Sequence, residues 1–323
     1  MIIPYADIQD AETRLAQTLA PTPLIKSDYF SRKLNTNIYF KLEILNPTHS
    51  FKTRGATNAI LSLSDEQRQN GVITASGGNH GLGVAYVASQ LGIPAYIYLP
   101  TNTPKSKIVA LEELDAQITL FGDAWDEANP EALRVAEEEN IAYIHPFDDV
   151  HVMAGQATIG IEILSQLDKV DSVVTSIGGG GLIAGITSAL VHKSPKTRIY
   201  GVETIGADSM AQSFHNNKIT TLSAITSIAN TLGSKTPGTR HFDIVKEHVT
   251  DVVTVTDKQA VETLWEILNY EKLLVEPAMS CSLSAVIAGK INYQPDDNIV
   301  IIVCGGNVTI QDVMQWRAKF GLN

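Results

Sequence analysis

Four short segments hold the residues most able to do chemistry. In SIGGGGLIAGI, residues 176–186, an apolar strand ending at Ile177 meets four glycines and then a helix beginning near Leu182. Bare backbone amides can close on an anion there, and the helix start adds donors and a favourable dipole. Phosphate is the natural guest, because an ordinary strand-to-helix turn needs fewer glycines. The loop is not of the Walker type, since Lys and Ser/Thr do not follow the glycines. Nor is it a GxGxxG unit with a ribose-binding acid.

Lys52 lies in HSFKTRG, residues 49–55, at the start of a helix that opens with Thr53, Arg54 and Gly55. A cation opposing the positive end of a helix is unfavourable, which lowers the pKa of the amine. An amine that deprotonates more readily can attack an aldehyde and form a Schiff base. SGGNHG, residues 76–81, places a hydroxyl, an amide and an imidazole at the end of a strand, where open α/β sheets bind ligands. CGGN, residues 304–307, ends another apolar strand and brings a thiol and an amide to the same edge.

The elements that must position these segments alternate. Strands are expected at 38–43, 72–75, 95–99, 117–120, 172–177, 198–203, 251–255 and 298–303. Helices are expected at 53–63, 81–91, 105–114, 131–139, 151–166, 182–191, 258–270 and 278–289, with a further one at 309–319. Continuous apolar runs such as IVIIVC at 299–304 fit parallel strands covered on both faces. Asp10, Thr103 (before Pro104) and Asp257 read as helix caps. Two α/β blocks follow, with roughly 53–147 separable from the rest and the chain crossing near 49–54 and 145–150.

The totals narrow the class. The 323 residues carry 24 Lys and Arg against 35 Asp and Glu, a net charge of −11, which disfavours nucleic acid and anionic membrane as partners. Two cysteines, Cys281 and Cys304, allow neither a disulfide framework nor a multi-cysteine metal site. MIIPYADIQDAETRL has no basic region or long apolar run, and reads as the start of a folded, cytoplasmic protein. His145 and His151 fit no zinc pattern, and HExxH is absent.

Taken together and in order, the four segments resemble those of the fold-type II pyridoxal-phosphate enzymes, in particular the serine and threonine dehydratases and their relative serine racemase. The resemblance spans nearly the whole chain, without the dehydratases' C-terminal regulatory domain. It implies the tryptophan synthase β-like fold: a large domain of residues 1–52 and 148–323, a small α/β domain of 53–147, and pyridoxal 5′-phosphate in the cleft between them. Lys52 would form the Schiff base and act at the substrate α carbon. Phe51 would pack on the cofactor ring, Asn79 would meet its phenolic oxygen, Gly178, Gly179, Gly180 and Gly181 would bind its phosphate, and Cys304 would lie beside its pyridine nitrogen. Ser76, Gly77, Asn79 and His80 would surround the substrate carboxylate. A homodimer is also implied.

The same resemblance suggests a cation near Glu203, the Ala207 carbonyl and Ser209. Relatives binding magnesium or calcium carry aspartate at the last position, so Ser209 favours potassium. The expected reaction is dehydration of L-threonine or L-serine to a 2-oxo acid and ammonia. Gly77 stands where serine racemases place a hydroxyl on the face opposite the lysine, which disfavours racemisation. Other readings are a dehydratase of hydroxyaspartate or phenylserine, a threonine synthase, and a non-catalytic module binding the cofactor or an amino acid.

Overall fold

The structure is a computed structural model and describes residues 1–322. Among the described residues, ten strands form two sheets: β1 (Leu24–Ser27), β2 (Asn37–Lys41), β3 (Val72–Ala75), β4 (Ala95–Leu99), β5 (Gln117–Leu120), β6 (Ala142–Tyr143), β7 (Ser172–Ser176), β8 (Arg198–Thr204), β9 (Asp251–Val255) and β10 (Asn298–Ile302). The larger sheet has the order β1-β2-β10-β7-β8-β9, and the smaller β5-β4-β3-β6. Every pairing is parallel except β1 with β2, where Leu24 faces Lys41.

The unbroken apolar runs have a direct cause in the packing. On β3 and β4, Val72, Ile97 and Leu99 pack in one core with Val84 and Ala85 of helix Asn79–Leu91. Their neighbours Ile73, Ala75 and Tyr98 pack in another with Ala132 and Ala136 of helix Trp125–Glu138. Successive residues point to opposite faces of a strand, so helices on both faces demand apolar side chains at every position. In the larger sheet, Ile299–Val303 are wholly buried in the main core.

Three expected caps are corrected. Asp10 lies inside helix Tyr5–Leu15 rather than at its start. Thr103 donates its hydroxyl to the Pro100 carbonyl, so Pro104 takes the cap position of helix Lys105–Glu112. Thr256, not Asp257, caps helix Asp257–Tyr270 through a reciprocal pair with Gln259, and Asp257 instead accepts from Ser227 and Ile228.

Both sheets reverse their strand order once. The chain runs β7, β8, β9 outward and returns with β10 on the other side of β7; likewise it runs β3, β4, β5 and returns with β6 beside β3. Open α/β sheets bind ligands at the carboxyl ends of strands flanking such a reversal. The segments leaving those four strands are the glycine loop, CGGN, SGGNHG and residues 144–148.

Helix Lys52–Ser62 lies against helix Val150–Gln166 at a glycine contact: a Cβ on Gly155 would stand 2.8 Å from the Gly55 Cα. Buried charge also anchors this helix. Arg54 meets Glu43 at 2.7 Å and Glu162 at 2.6 Å, and Lys41 meets Glu162 at 2.6 Å. Such groups are tolerated inside a protein only when paired and hydrogen-bonded.

Candidate active site

Lys52 is the first residue of its helix, and its Nζ donates to the Pro146 carbonyl at 2.5 Å. Burial lowers the amine to about 8, against the pull of Cys304. That pull is weak where Lys52 titrates, because burial, with Glu276 adding to it, pushes the Cys304 thiol up to about 12 and leaves it neutral. Burial, rather than the helix start invoked from the sequence, is thus the chief cause of the lowered lysine pKa. The Phe51 ring centroid lies 5.2 Å from Nζ.

Backbone pairing ties this segment to CGGN. Phe51 N donates to the Cys304 carbonyl at 3.0 Å, Gly306 N to the His49 carbonyl at 3.0 Å, and Ser50 bridges Gly305. The Asn307 side chain donates to the Thr48 carbonyl at 2.9 Å and to Asn79 Oδ1 at 2.7 Å, which brings in SGGNHG. The thiol of Cys304 lies 3.5 Å from the Ser176 hydroxyl at the end of β7.

Sequence reasoning missed the residue that joins these segments. Buried Glu276 accepts from Asn79 Nδ2 at 2.8 Å and Asn307 N at 3.1 Å, and from the Thr231 hydroxyl at 2.9 Å. Its own amide donates to the Gly305 carbonyl. Thr231 in turn lies against Gly178 of the glycine loop. The available signal was a single carboxylate in the apolar run LLVEPAMSCSL, directly before a proline that opens helix Pro277–Ile287.

At the glycine loop, the amides of Gly178–Gly181 donate to no group among the described residues, and no side chain caps helix Gly181–Lys193. Four free donors at a helix start suit an anionic phosphate. Packing also requires the glycines. A Cβ on Gly179 would stand 2.4 Å from the Phe147 ring, and Gly180 has φ +102°, in the left-handed region.

In SGGNHG, the Ser76 hydroxyl accepts from Gly78 N at 3.3 Å. His80 Nε2 donates to the Ile144 carbonyl at 3.0 Å, and Nδ1 has no partner among the described residues. Burial, aided by Lys52, pushes the ring down to about 3, so it is neutral. Gly77 contributes backbone only, with Leu99 Cδ2 3.2 Å from where a Cβ would be.

The three residues proposed for a cation sit at the end of β8. Buried Glu203 accepts from Met210 N at 3.2 Å and Ala211 N at 2.6 Å, while Ser209 Oγ donates to the Ser234 carbonyl at 2.8 Å. Burial holds the Glu203 carboxyl well above its ordinary value despite those amides. No hydrogen bond among the described residues joins this trio directly to Lys52, Asn79 or Cys304.

Residues 15–305 match the family model described as pyridoxal-phosphate dependent enzyme. The chain belongs to the pyridoxal-phosphate dependent enzymes. Within that family it is 39% identical over 312 residues to the L-threonine ammonia-lyase of Geobacter sulfurreducens, covering 97% of this chain and 77% of that protein. The processed form of threonine deaminase isoform 2 from Solanum lycopersicum superposes with a TM-score of 0.92 at 33% identity, covering 99% of this chain and 88% of that one. Maize serine racemase matches with the same TM-score, 0.92, and the same identity, 33%, over 98% of this chain and 97% of its own. The architecture is that of the fold-type II enzymes.

Proposed function

We propose that this chain is an ammonia-lyase that converts L-threonine or L-serine to a 2-oxo acid and ammonia. The observation that carries the reading is one constellation: a lysine amine lowered to about 8, held by the strand-end segments that border four unused glycine amides. Pyridoxal phosphate bound there supplies an electron sink for the substrate α carbon.

In this reading Gly178–Gly181 hold the phosphate, Phe51 packs on the ring, and Asn79 and Cys304 meet its oxygen and nitrogen. Ser76, Gly77, Asn79 and His80 frame the substrate carboxylate. Lys52 takes the α proton, the β C–O bond breaks with loss of water, and a second water releases the nitrogen as ammonia. A neutral Cys304 thiol donates only weakly, so it leaves the ring nitrogen largely unprotonated. That favours prompt departure of the β-hydroxyl over a long-lived carbanion.

The same reading divides the chain into 1–52 with 148–323 and 53–147, following the two sheets. It assigns Glu203, Ala207 and Ser209 to potassium, and it describes a cytoplasmic homodimer. For the described residues, no helix is long and apolar enough to cross a membrane.

Serine racemase is the second reading, favoured by the likeness to the maize enzyme. Following pyruvate and D-serine together during the first turnovers of L-serine separates the two. Pyruvate in large excess is expected, and D-serine forming as fast as pyruvate overturns the assignment.

A further inference from the structure

Five consecutive residues clamp four titratable side chains. The Ile144 carbonyl accepts from His80, the Pro146 carbonyl from Lys52 and the Phe147 carbonyl from His241 at 3.0 Å. The amides of Phe147 and Asp148 donate to His145 Nδ1 at 3.2 and 2.7 Å. A carbonyl can only accept, so Nε2 of His241 carries the proton. Its Nδ1 is buried and without a hydrogen-bond partner among the described residues, and a carboxylate oxygen of Asp148 is 4.0 Å away. The ring is wedged between two glycines. A Cβ on Gly180 would stand 2.6 Å from His241 Cβ, and one on Gly238 would stand 2.2 Å from Nδ1.

We infer that His241 is a positioning residue that fixes the Pro146 carbonyl against the Lys52 amine. Its N–H pins Phe147, the residue after Pro146, while its ring is seated on the glycine loop. The inference rests on Lys52 being the reactive amine. A carbonyl acceptor binds an ammonium more tightly than a neutral amine. Pro146 therefore favours the form Lys52 reaches once it has taken a proton, and directs one N–H so that the lone pair points elsewhere. The titratable groups facing Lys52 are Cys304, His80, His145 and His241, and those facing His241 are Asp148, Arg240, Lys52 and His145. Burial keeps all three histidines neutral, so the hydrogen bond rather than a nearby cation is what the clamp adds.

The test uses cofactor-free protein and reductive methylation with formaldehyde, read on the Lys52 peptide by mass spectrometry across pH. Wild type should show a midpoint near 8. His241→Phe keeps the ring shape but loses the donor, and should move the midpoint down by about one pH unit. His241→Gln can still donate to Phe147 and should restore the wild-type midpoint. Should the phenyl ring prevent folding, His241→Asn, too short to reach the carbonyl, should give the same downward shift. An unshifted midpoint in a folded His241→Phe or His241→Asn protein overturns the inference, as does an equal shift in His241→Gln. A wild type that forms no 2-oxo acid, with the downward shift still seen in His241→Phe and absent in His241→Gln, would remove the lyase reading and leave the clamp standing.

Discussion

Asn307 donates its side-chain amide to Asn79 at 2.7 Å, joining the ends of β10 and β3 from different sheets. Glu276 holds both partners. Glu276→Leu should leave the Asn79 amide and the Thr231 hydroxyl without their acceptor. An unsatisfied buried group costs roughly 1–3 kcal/mol, so denaturant titration should show a loss of that order, with weaker cofactor binding. Glu276→Gln should recover much of the stability, because Thr231 can accept as well as donate. Equal losses in both variants would mean that shape alone matters at this position.

Lys52→Ala should abolish turnover while keeping weak cofactor binding through the glycine amides. Borohydride reduction of the wild type, followed by peptide mapping, should place the pyridoxyl group on Lys52. Covalent loading of cofactor-free protein should accelerate as pH rises through about 8, where the amine loses its proton. A modified peptide elsewhere in the chain would remove Lys52 from its role.

Gly77→Ser should raise D-serine formation relative to pyruvate. Its Cβ would lie 3.2 Å from Leu99 Cδ2, so the leucine must give by a few tenths of an ångström. General acid catalysis contributes roughly 10²–10⁴-fold, and a new hydroxyl need recover only part of that to be visible in a chiral product assay. An unchanged product ratio in a folded variant would show that Gly77 is not what limits racemisation.

Arg54→Met should destabilise the protein by roughly 3–5 kcal/mol, because it leaves buried carboxylates unpaired. Burial by itself would raise the Glu162 carboxyl, but Arg54 and Lys41 outweigh it and hold the group below its ordinary value. A carboxyl depressed in the folded state stabilises above its unfolded pKa, and that stability is lost as pH falls through the folded pKa. The wild type should therefore lose stability steeply in acid, below about pH 4. Arg54→Met should lack much of that slope.

Potassium should raise the melting temperature more at higher pH. Burial lifts the Glu203 carboxyl well above its ordinary value, so ionising it costs stability as pH rises. A cation beside it would offset that cost, most where the carboxylate is forced to form. A gain with magnesium alone, or one independent of pH, would displace the monovalent reading.

The central parallel strands β3 and β10 were legible because both faces are buried, which made them read as apolar runs. Two strands were not. The edge strand β1 is the mixed tetrapeptide LIKS, and β6 is only two residues long, with its pairing set by β3 rather than by its own composition. Within the site, Lys52 and the glycine loop could be read because local sequence carries their chemistry. The parts played by Glu276, Pro146 and His241 could not, since each acts through a partner distant in sequence: Asn79, Lys52 and Phe147.

The chain leaves the larger sheet through the segment ending at Lys52 and comes back through Pro146, so the 2.5 Å bond between them ties the two crossovers together. Any swing of one sheet about the other must pivot on those crossovers. Points near a pivot travel least. The amine is thus seated where opening and closing disturb it little, while the edge strands β5 and β9, away from the crossovers, sweep the wider arc. A distance probe between β5 and β9 should change on substrate binding while one spanning residues 52 and 146 stays fixed.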